Sequence, residues 1–221
     1  MTATPSIAIL DYGMGNLRSV EKALERAGAR VAIVADPAAA REAAGLVLPG
    51  VGAFPKAAAR LRELGHGELV RERLDAGIPV LGICLGLQLL FDSSTELGGA
   101  EGIGLLPGAV DRLDAPGRKL PHIGWSPVRW ERPSRLVEGI ESEQPFYFVH
   151  TYAPRPAEPG DLLGSAAYGE RFACAVDRDP LFGVQFHPEK SSAAGLRLLE
   201  NFVGICAAGR RTQSSGVAER T

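Results

Sequence analysis

Cysteine is scarce: the 221 residues hold three, Cys84, Cys174 and Cys206. They are far apart, odd in number and lack CxxC spacing. That argues against a disulfide framework or a zinc site and for a reduced, intracellular setting. Long hydrophobic runs are missing too. No stretch approaches the ~20 apolar residues of a membrane span, and residues 1–6 carry neither the basic nor the apolar region of an export signal. No membrane contact and a cytoplasmic location are expected. Nor does charge of one sign dominate: 24 Lys+Arg against 26 Asp+Glu leave a net charge of −2. Without a basic stripe, a nucleic-acid partner is not expected. The strings Arg60-Leu61-Arg62-Glu63 and Arg71-Glu72-Arg73 alternate sign, as exposed helix faces do. Nucleotide signatures fail as well. Gly13-Met14-Gly15 follows a strand, but the dinucleotide fingerprint needs a third glycine where Arg18 stands, and no GxxxxGK[ST] loop exists. No cofactor and no metal are expected.

What is present alternates short apolar runs with helical periodicity. Ile7-Ala8-Ile9-Leu10, Val31-Ala32-Ile33-Val34, Gly45-Leu46-Val47-Leu48 and Pro79-Val80-Leu81-Gly82-Ile83 read as buried strands. Helices are predicted over 16–27, ended by Gly28, and over 53–64, 68–76 and 85–91. Continuous apolar strands separated by helices imply a parallel sheet covered on both faces. The middle, 103–175, is rich in Pro and Gly with short strand-like pieces, and suits antiparallel strands and long loops. A last strand over 181–186 precedes a helix over 192–205, and 207–221 reads as a disordered tail. No repeat or linker is visible, so 6–206 is taken as one α/β domain.

Three strings carry chemistry. Gly82-Ile83-Cys84-Leu85-Gly86 has the G-x-C-x-G form between strand and helix, the geometry of a nucleophile elbow with cysteine in place of serine. The glycines permit a sharp turn that lifts the thiol to the helix N-terminus, where the positive end of the helix favours the thiolate. The Leu85 N–H then points where an oxyanion would form. The bland alternative is a buried structural cysteine. Second, Phe186-His187-Pro188-Glu189 supplies a base and an orienting carboxylate, with alternation along a strand placing His187 and Glu189 on one face. Its alternative is a surface loop. Third, Pro49-Gly50-Val51-Gly52 follows a parallel strand at the ligand-binding edge of such sheets, and its backbone N–H groups could complete an oxyanion hole. An ordinary strand–helix turn would look the same. Glycines flanking Val51 make rotation of the Gly50–Val51 peptide sterically easy, so the Val51 N–H is the candidate second donor. Of the other histidines, His66 sits in a Gly-His-Gly turn and is expected to be exposed, and His122 and His150 are open to packing or interface roles.

Cysteine in G-x-C-x-G followed later by His-Pro-Glu resembles the class I glutamine amidotransferases, with their Cys-His-Glu triad on a flavodoxin-like, mostly parallel sheet. Asp11-Tyr12-Gly13-Met14-Gly15-Asn16, Pro49-Gly50-Val51-Gly52-Ala53-Phe54, Pro121-His122-Ile123-Gly124-Trp125, Phe148-Val149-His150-Thr151-Tyr152 and the extension to Lys190-Ser191 narrow the likeness to glutaminase subunits of imidazole glycerol phosphate synthase. The resemblance covers 7–205. It implies Cys84 as nucleophile, His187 as general base and acid, and Glu189 as its orienter. Gln88 would bind the amino-acid end of glutamine, with the backbones of Gly52, Thr151 and Tyr152 helping. Asn16, Trp125, Tyr147 and Lys190 would face a TIM-barrel cyclase in a heterodimer that receives the ammonia. Ser126 departs from the family, where asparagine more often follows Gly-Trp. Two alternatives stay open: a glutaminase serving another synthase, such as that of anthranilate or pyridoxal phosphate, and a non-catalytic flavodoxin-like binding module.

Overall fold

A computed structural model describes residues 4–218, with side chains as far as residue 209. The strands are β1 (Ser6–Leu10), β2 (Arg30–Val34), β3 (Gly45–Leu48), β4 (Val80–Ile83), β5 (Phe91–Ser94), β6 (Ala100–Glu101), β7 (Leu106–Arg112), β8 (His122–Trp130), β9 (Gln144–His150), β10 (Tyr152–Pro156), β11 (Leu162–Tyr168), β12 (Glu170–Arg178) and β13 (Leu181–Val184). The helices are α1 (Leu17–Arg26), α2 (Phe54–Glu63), α3 (His66–Asp75), α4 (Leu85–Leu89) and α5 (Ser192–Ala218).

One sheet runs β2-β1-β3-β4-β13-β12-β11-β8-β9. The first five strands are parallel; β12, β11, β8 and β9 continue it antiparallel. The α/β expectation of a mostly parallel sheet with an antiparallel C-terminal portion therefore holds. A second, four-stranded sheet, β10-β7-β5-β6, was not anticipated.

Period-two alternation organises the core. Ile7 and Ile9 of β1 pack on one face with Val20 and Leu24 of α1 and Leu198 and Phe202 of α5. Ala8 and Leu10 pack on the other with Ala57, Leu61, Leu69 and Val70 of α2 and α3, and with Leu87 of α4. Strands β3, β4 and β13 are buried at every residue, which is why they read as unbroken apolar runs.

Three boundaries differ from the sequence pattern. The helix predicted over 85–91 stops at Leu89, and Phe91 starts β5. A short apolar run fits a buried helix or a buried strand equally well. The strand predicted over 181–186 ends at Val184. The last helix passes Ile205 and continues to Ala218 without a break, because 206–218 contains no proline to stop it. The tail expected over 207–221 falls mostly on side chains outside the described residues, and 219–221 lie outside them altogether.

Candidate active site

The C-terminal ends of β1, β3, β4 and β13 meet at one edge of the sheet, and the three chemical strings sit there. Cys84 links β4 to α4 with φ 55° and ψ −110°, a left-handed strained conformation for a residue with a side chain. Its neighbours explain how the elbow is tolerated. A Cβ on Gly82 would lie 2.8 Å from the backbone of Leu87, and one on Gly86 would lie 1.7 Å from the Leu48 carbonyl. Glycine at both positions lets α4 lie directly against the sheet. The sulfur is buried, 4.0 Å from the Val149 carbonyl, and accepts from Gln185 Nε2 at 3.6 Å.

His187 is 3% exposed. Its Nδ1 lies 2.8 Å from Glu189 Oε1, and its Nε2 has no hydrogen-bond partner among the described residues. Strand alternation is not what pairs them. A 3-10 turn over Pro188–Lys190 curls Glu189 back under the ring. Proline at the first position of that turn supplies the fixed φ it needs. The turn is pinned from both sides: the His187 N–H donates to the Tyr147 carbonyl, and Ser191 Oγ donates to the His187 carbonyl while accepting from Tyr147 N–H. Burial favours the neutral ring, but contact with Cys84 and Glu189 outweighs it and raises the His187 pKa from 6.5 to about 10.

The Gly50–Val51 peptide turns its carbonyl toward Leu85. The Leu85 N–H donates to the Gly50 carbonyl at 3.3 Å. Since the peptide is planar, the Val51 N–H points the opposite way. The expected oxyanion hole of Val51 and Leu85 is thus not assembled in this conformation: a carbonyl occupies it. Gly50 itself is crowded. A Cβ there would lie 2.1 Å from Tyr12 Oη, and that hydroxyl donates to the Pro49 carbonyl at 2.5 Å. Burial, with Cys84 adding, raises the Tyr12 pKa, so the hydroxyl stays a donor.

A cavity of 230 Å³ lies beside Cys84, lined among others by Val51, Gly52, Gln88, Glu96, Thr151 and Tyr152. Larger hollows, of 560 and 810 Å³, lie along α1 and over residues 130–140, and neither is lined by Cys84. Gln88 Nε2 donates to the Tyr152 carbonyl at 2.9 Å and to Gln185 Oε1 at 3.0 Å. Both its N–H groups are therefore used, and only Oε1 remains to meet a ligand. The Tyr152 carbonyl is itself full, because His150 Nδ1 approaches it at 2.9 Å as well as Gln88. Both lone pairs of that carbonyl are therefore taken.

Of the residues expected at a partner surface, three come together. Trp125 and Tyr147 face one another across β8 and β9 with ring centroids 6.0 Å apart, and Lys190 Nζ stands 5.8 Å above the Tyr147 ring. Asn16 is exposed at the start of α1, with no side-chain capping bond. His66, expected to be exposed, is fully buried, with Nε2 against the Ala35 carbonyl at 2.8 Å. Sequence reasoning missed Gln185, Tyr12 and Glu96. The first precedes the Phe-His-Pro-Glu string directly, and the second follows a parallel strand at the site edge. The Glu96 carboxylate accepts from the Phe54 N–H at 2.8 Å, capping α2 from 42 positions away, and no local signal marks it.

The profile of the family "Glutamine amidotransferase class-I" matches residues 8–205. The chain is 53% identical over 196 residues to the HisH component of imidazole glycerol phosphate synthase from Moorella thermoacetica, covering 89% of this chain and 93% of that one. It is 50% identical to the HisH component from Desulfitobacterium hafniense, covering 89% and 92%. In fold it is similar to PurLQS from Thermotoga maritima, with TM-score 0.74 and 18% identity over 91% of this chain and 99% of that one. A solved glutamine amidotransferase gives TM-score 0.71 and 23% identity over 90% and 98%.

Proposed function

Because the chain belongs to the class I glutamine amidotransferases, and within them to the HisH glutaminase subunits of imidazole glycerol phosphate synthase, we propose that Cys84, His187 and Glu189 form its catalytic triad. The chain is the glutaminase half of a histidine-biosynthesis enzyme whose other half is a cyclase. One observation carries the triad. The His187 ring is buried, bonded to Glu189 through Nδ1 and open at Nε2, at the same site edge as the strained Cys84 elbow.

The chemistry is acyl transfer in two steps. The Cys84 thiolate attacks the side-chain amide carbon of glutamine. His187, already the imidazolium, gives its Nε2 proton to the departing nitrogen, so ammonia leaves and a glutamyl thioester remains. The ring, now neutral, takes a proton from water, whose oxygen attacks the thioester. The C–S bond then breaks, Cys84 leaves as the thiolate beside the imidazolium, and the new carboxyl gives its proton to water as glutamate departs. Glu189 holds the ring without taking the proton. Gln88 Oε1 accepts from the α-ammonium of glutamine, and the backbones of Gly52, Thr151 and Tyr152 help hold it. Each tetrahedral oxyanion needs the Leu85 N–H, now taken by the Gly50 carbonyl, together with the Val51 N–H.

Ammonia released into neutral water would mostly become ammonium and lose its lone pair, so a sealed route into a TIM-barrel cyclase in a one-to-one complex fits the chemistry. There it would yield imidazole glycerol phosphate and an aminoimidazole carboxamide ribonucleotide. A reduced, cytoplasmic setting fits the three free cysteines; no helix of the described residues is long and apolar enough to cross a membrane. The likeness to HisH subunits over nearly nine-tenths of the chain favours this synthase over one making anthranilate or pyridoxal phosphate. Strained Cys84 beside an open imidazole nitrogen argues against a non-catalytic module.

The test is glutamate release by the complex with the cyclase. Cys84→Ser abolishes it, while Cys174→Ala and Cys206→Ala, both buried away from the cavity, retain it. Turnover by Cys84→Ser at the wild-type rate would overturn the mechanism.

A further inference from the structure

Two buried histidines outside the triad, His122 and His150, form a cross-strand pair on β8 and β9. His150 Nδ1 lies 2.9 Å from the Tyr152 carbonyl, His150 Nε2 lies 3.2 Å from His122 Nδ1, and His122 Nε2 lies 3.0 Å from Ser126 Oγ. We infer that His122 and His150 are positioning residues for glutamine binding: a one-way hydrogen-bond chain through both rings, from Ser126 to the Tyr152 carbonyl, fixes the carbonyl against which Gln88 is held. This inference rests on the glutaminase reading above.

The direction of the chain follows from its last member. A carbonyl can only accept, so His150 Nδ1 carries the hydrogen. In a neutral ring, Nε2 is then bare and must accept, so His122 Nδ1 is also N–H. His122 Nε2 is bare in turn and accepts from the Ser126 hydroxyl. Both rings are neutral. Burial, with Arg118 adding, lowers the His122 pKa to about 4. Burial lowers that of His150 to about 3, helped by His122 and His187 and opposed by the bond to Tyr152. The rings cannot swing away from this arrangement. His122 stacks on Phe148 and Tyr168 with centroids at 5.1 and 4.1 Å, and His150 packs on Phe172 at 5.0 Å.

The receiving end is what matters for substrate. The Tyr152 carbonyl accepts from His150 and from Gln88, and Gln88 donates its second N–H to Gln185, which donates in turn to Cys84 Sγ. These contacts aim Gln88 Oε1, the only part of its amide left for a ligand. At the donating end, Ser126 is buried beside exposed Trp125 on β8. The chain therefore ties the strand that carries Trp125 to the glutamine subsite.

The experiment measures glutamate release by the complex with the cyclase at varied glutamine, together with imidazole nitrogen NMR of the wild-type chain. His150→Leu leaves the Tyr152 carbonyl short of a donor and raises KM for glutamine by about tenfold, with kcat changed less. His150→Asn, whose amide N–H stands in for Nδ1–H, recovers most of that loss. Ser126→Ala raises KM less, and Ser126→Asn, which keeps a donor, restores it. NMR shows both rings with a protonated Nδ1 and a bare Nε2, and no titration over about pH 6 to 8. A hydrogen on Nε2 of either ring, titration in that range, or an unchanged KM in His150→Leu would each overturn the inference. The NMR needs no variant and decides even if His150→Leu does not fold. Absence of glutamate release by the wild-type complex would instead sink the glutaminase reading, since the tautomers are read independently of it.

Discussion

At the scale of single residues, the proposed chemistry turns on one proton, held at the Nε2 of a His187 ring that Glu189 fixes through Nδ1. Cys84 and its two glycines, and His187 with Glu189, lie within short strings whose residue types announce their work. Even so, the reason that His187 meets Glu189 is a 3-10 turn begun by Pro188, where alternation along a strand had been the expectation. Gln185 and Gln88 are 97 positions apart in sequence yet hydrogen-bonded, and nothing local in either residue foretells the other. The state of His187 leads to a pH prediction. Its pKa is raised, so the ring keeps the proton needed by the leaving nitrogen until the pH nears about 10. Glutamine hydrolysis therefore loses rate on the alkaline side as pH rises through that value. Removing the Glu189 charge in Glu189→Gln takes away one of the two groups that hold the proton, so the alkaline limb moves to lower pH. Turnover falls less than in His187→Ala, because the glutamate never exchanges the proton itself. A pH–rate profile of glutamate release checks this; an unmoved alkaline limb in Glu189→Gln would assign the raised pKa to Cys84 alone.

At the scale of elements, the parallel half of the sheet was readable because its strands are buried on both faces and its helices bury one. The antiparallel half was only sketched, since strands such as β8 alternate buried and exposed residues among prolines and glycines. Strand β5 was lost because Leu85 to Phe91 is mostly apolar, and only the second sheet that β5 joins distinguishes it from more helix. The turn between β3 and α2 shows what an element boundary can do. Its Gly50 carbonyl now takes the Leu85 N–H; rotating one peptide would free that donor and bring in a second. Binding of the cyclase with its own substrate would favour the rotated form, which is a population shift. Val51→Pro removes the incoming donor, and losing one oxyanion-hole donor costs about 10²–10³ in kcat in a comparable case. Stimulation of glutamate release by the cyclase is expected to shrink by about that factor. Because proline also restricts Gly50, unchanged thermal unfolding is the control. Equal stimulation in Val51→Pro and wild type would rule the switch out.

At the scale of the whole molecule, three of the four large apolar residues left exposed among the described residues, all but Leu97, belong to the Gly50–Val51 turn and to β8. Ile123 is 61% exposed, Trp125 51% and Val51 41%. Large apolar residues left in water on a chain with a well-filled core mark a surface that another protein covers. Trp125 is the natural anchor, being an aromatic residue braced by Tyr147, which in turn lies under the Lys190 ammonium. Lys190 follows Glu189 in the same turn, so a partner resting on this patch also rests against the loop that holds His187. On the proposed reading, binding and chemistry would be built from adjoining residues. Trp125→Ala removes an anchor that sits outside the core, so thermal unfolding of the isolated chain should hold. Affinity for the cyclase should drop by about 30-fold, as for an interface residue carrying about 2 kcal/mol. Lys190→Ala should cost less affinity but lower the share of released ammonia that reaches the cyclase product. Calorimetry gives the first quantity, and the ratio of cyclase product to glutamate gives the second. If Trp125→Ala left the affinity unchanged and both variants left that ratio unchanged, the partner would have to seat elsewhere, and the exposed patch would need another occupant.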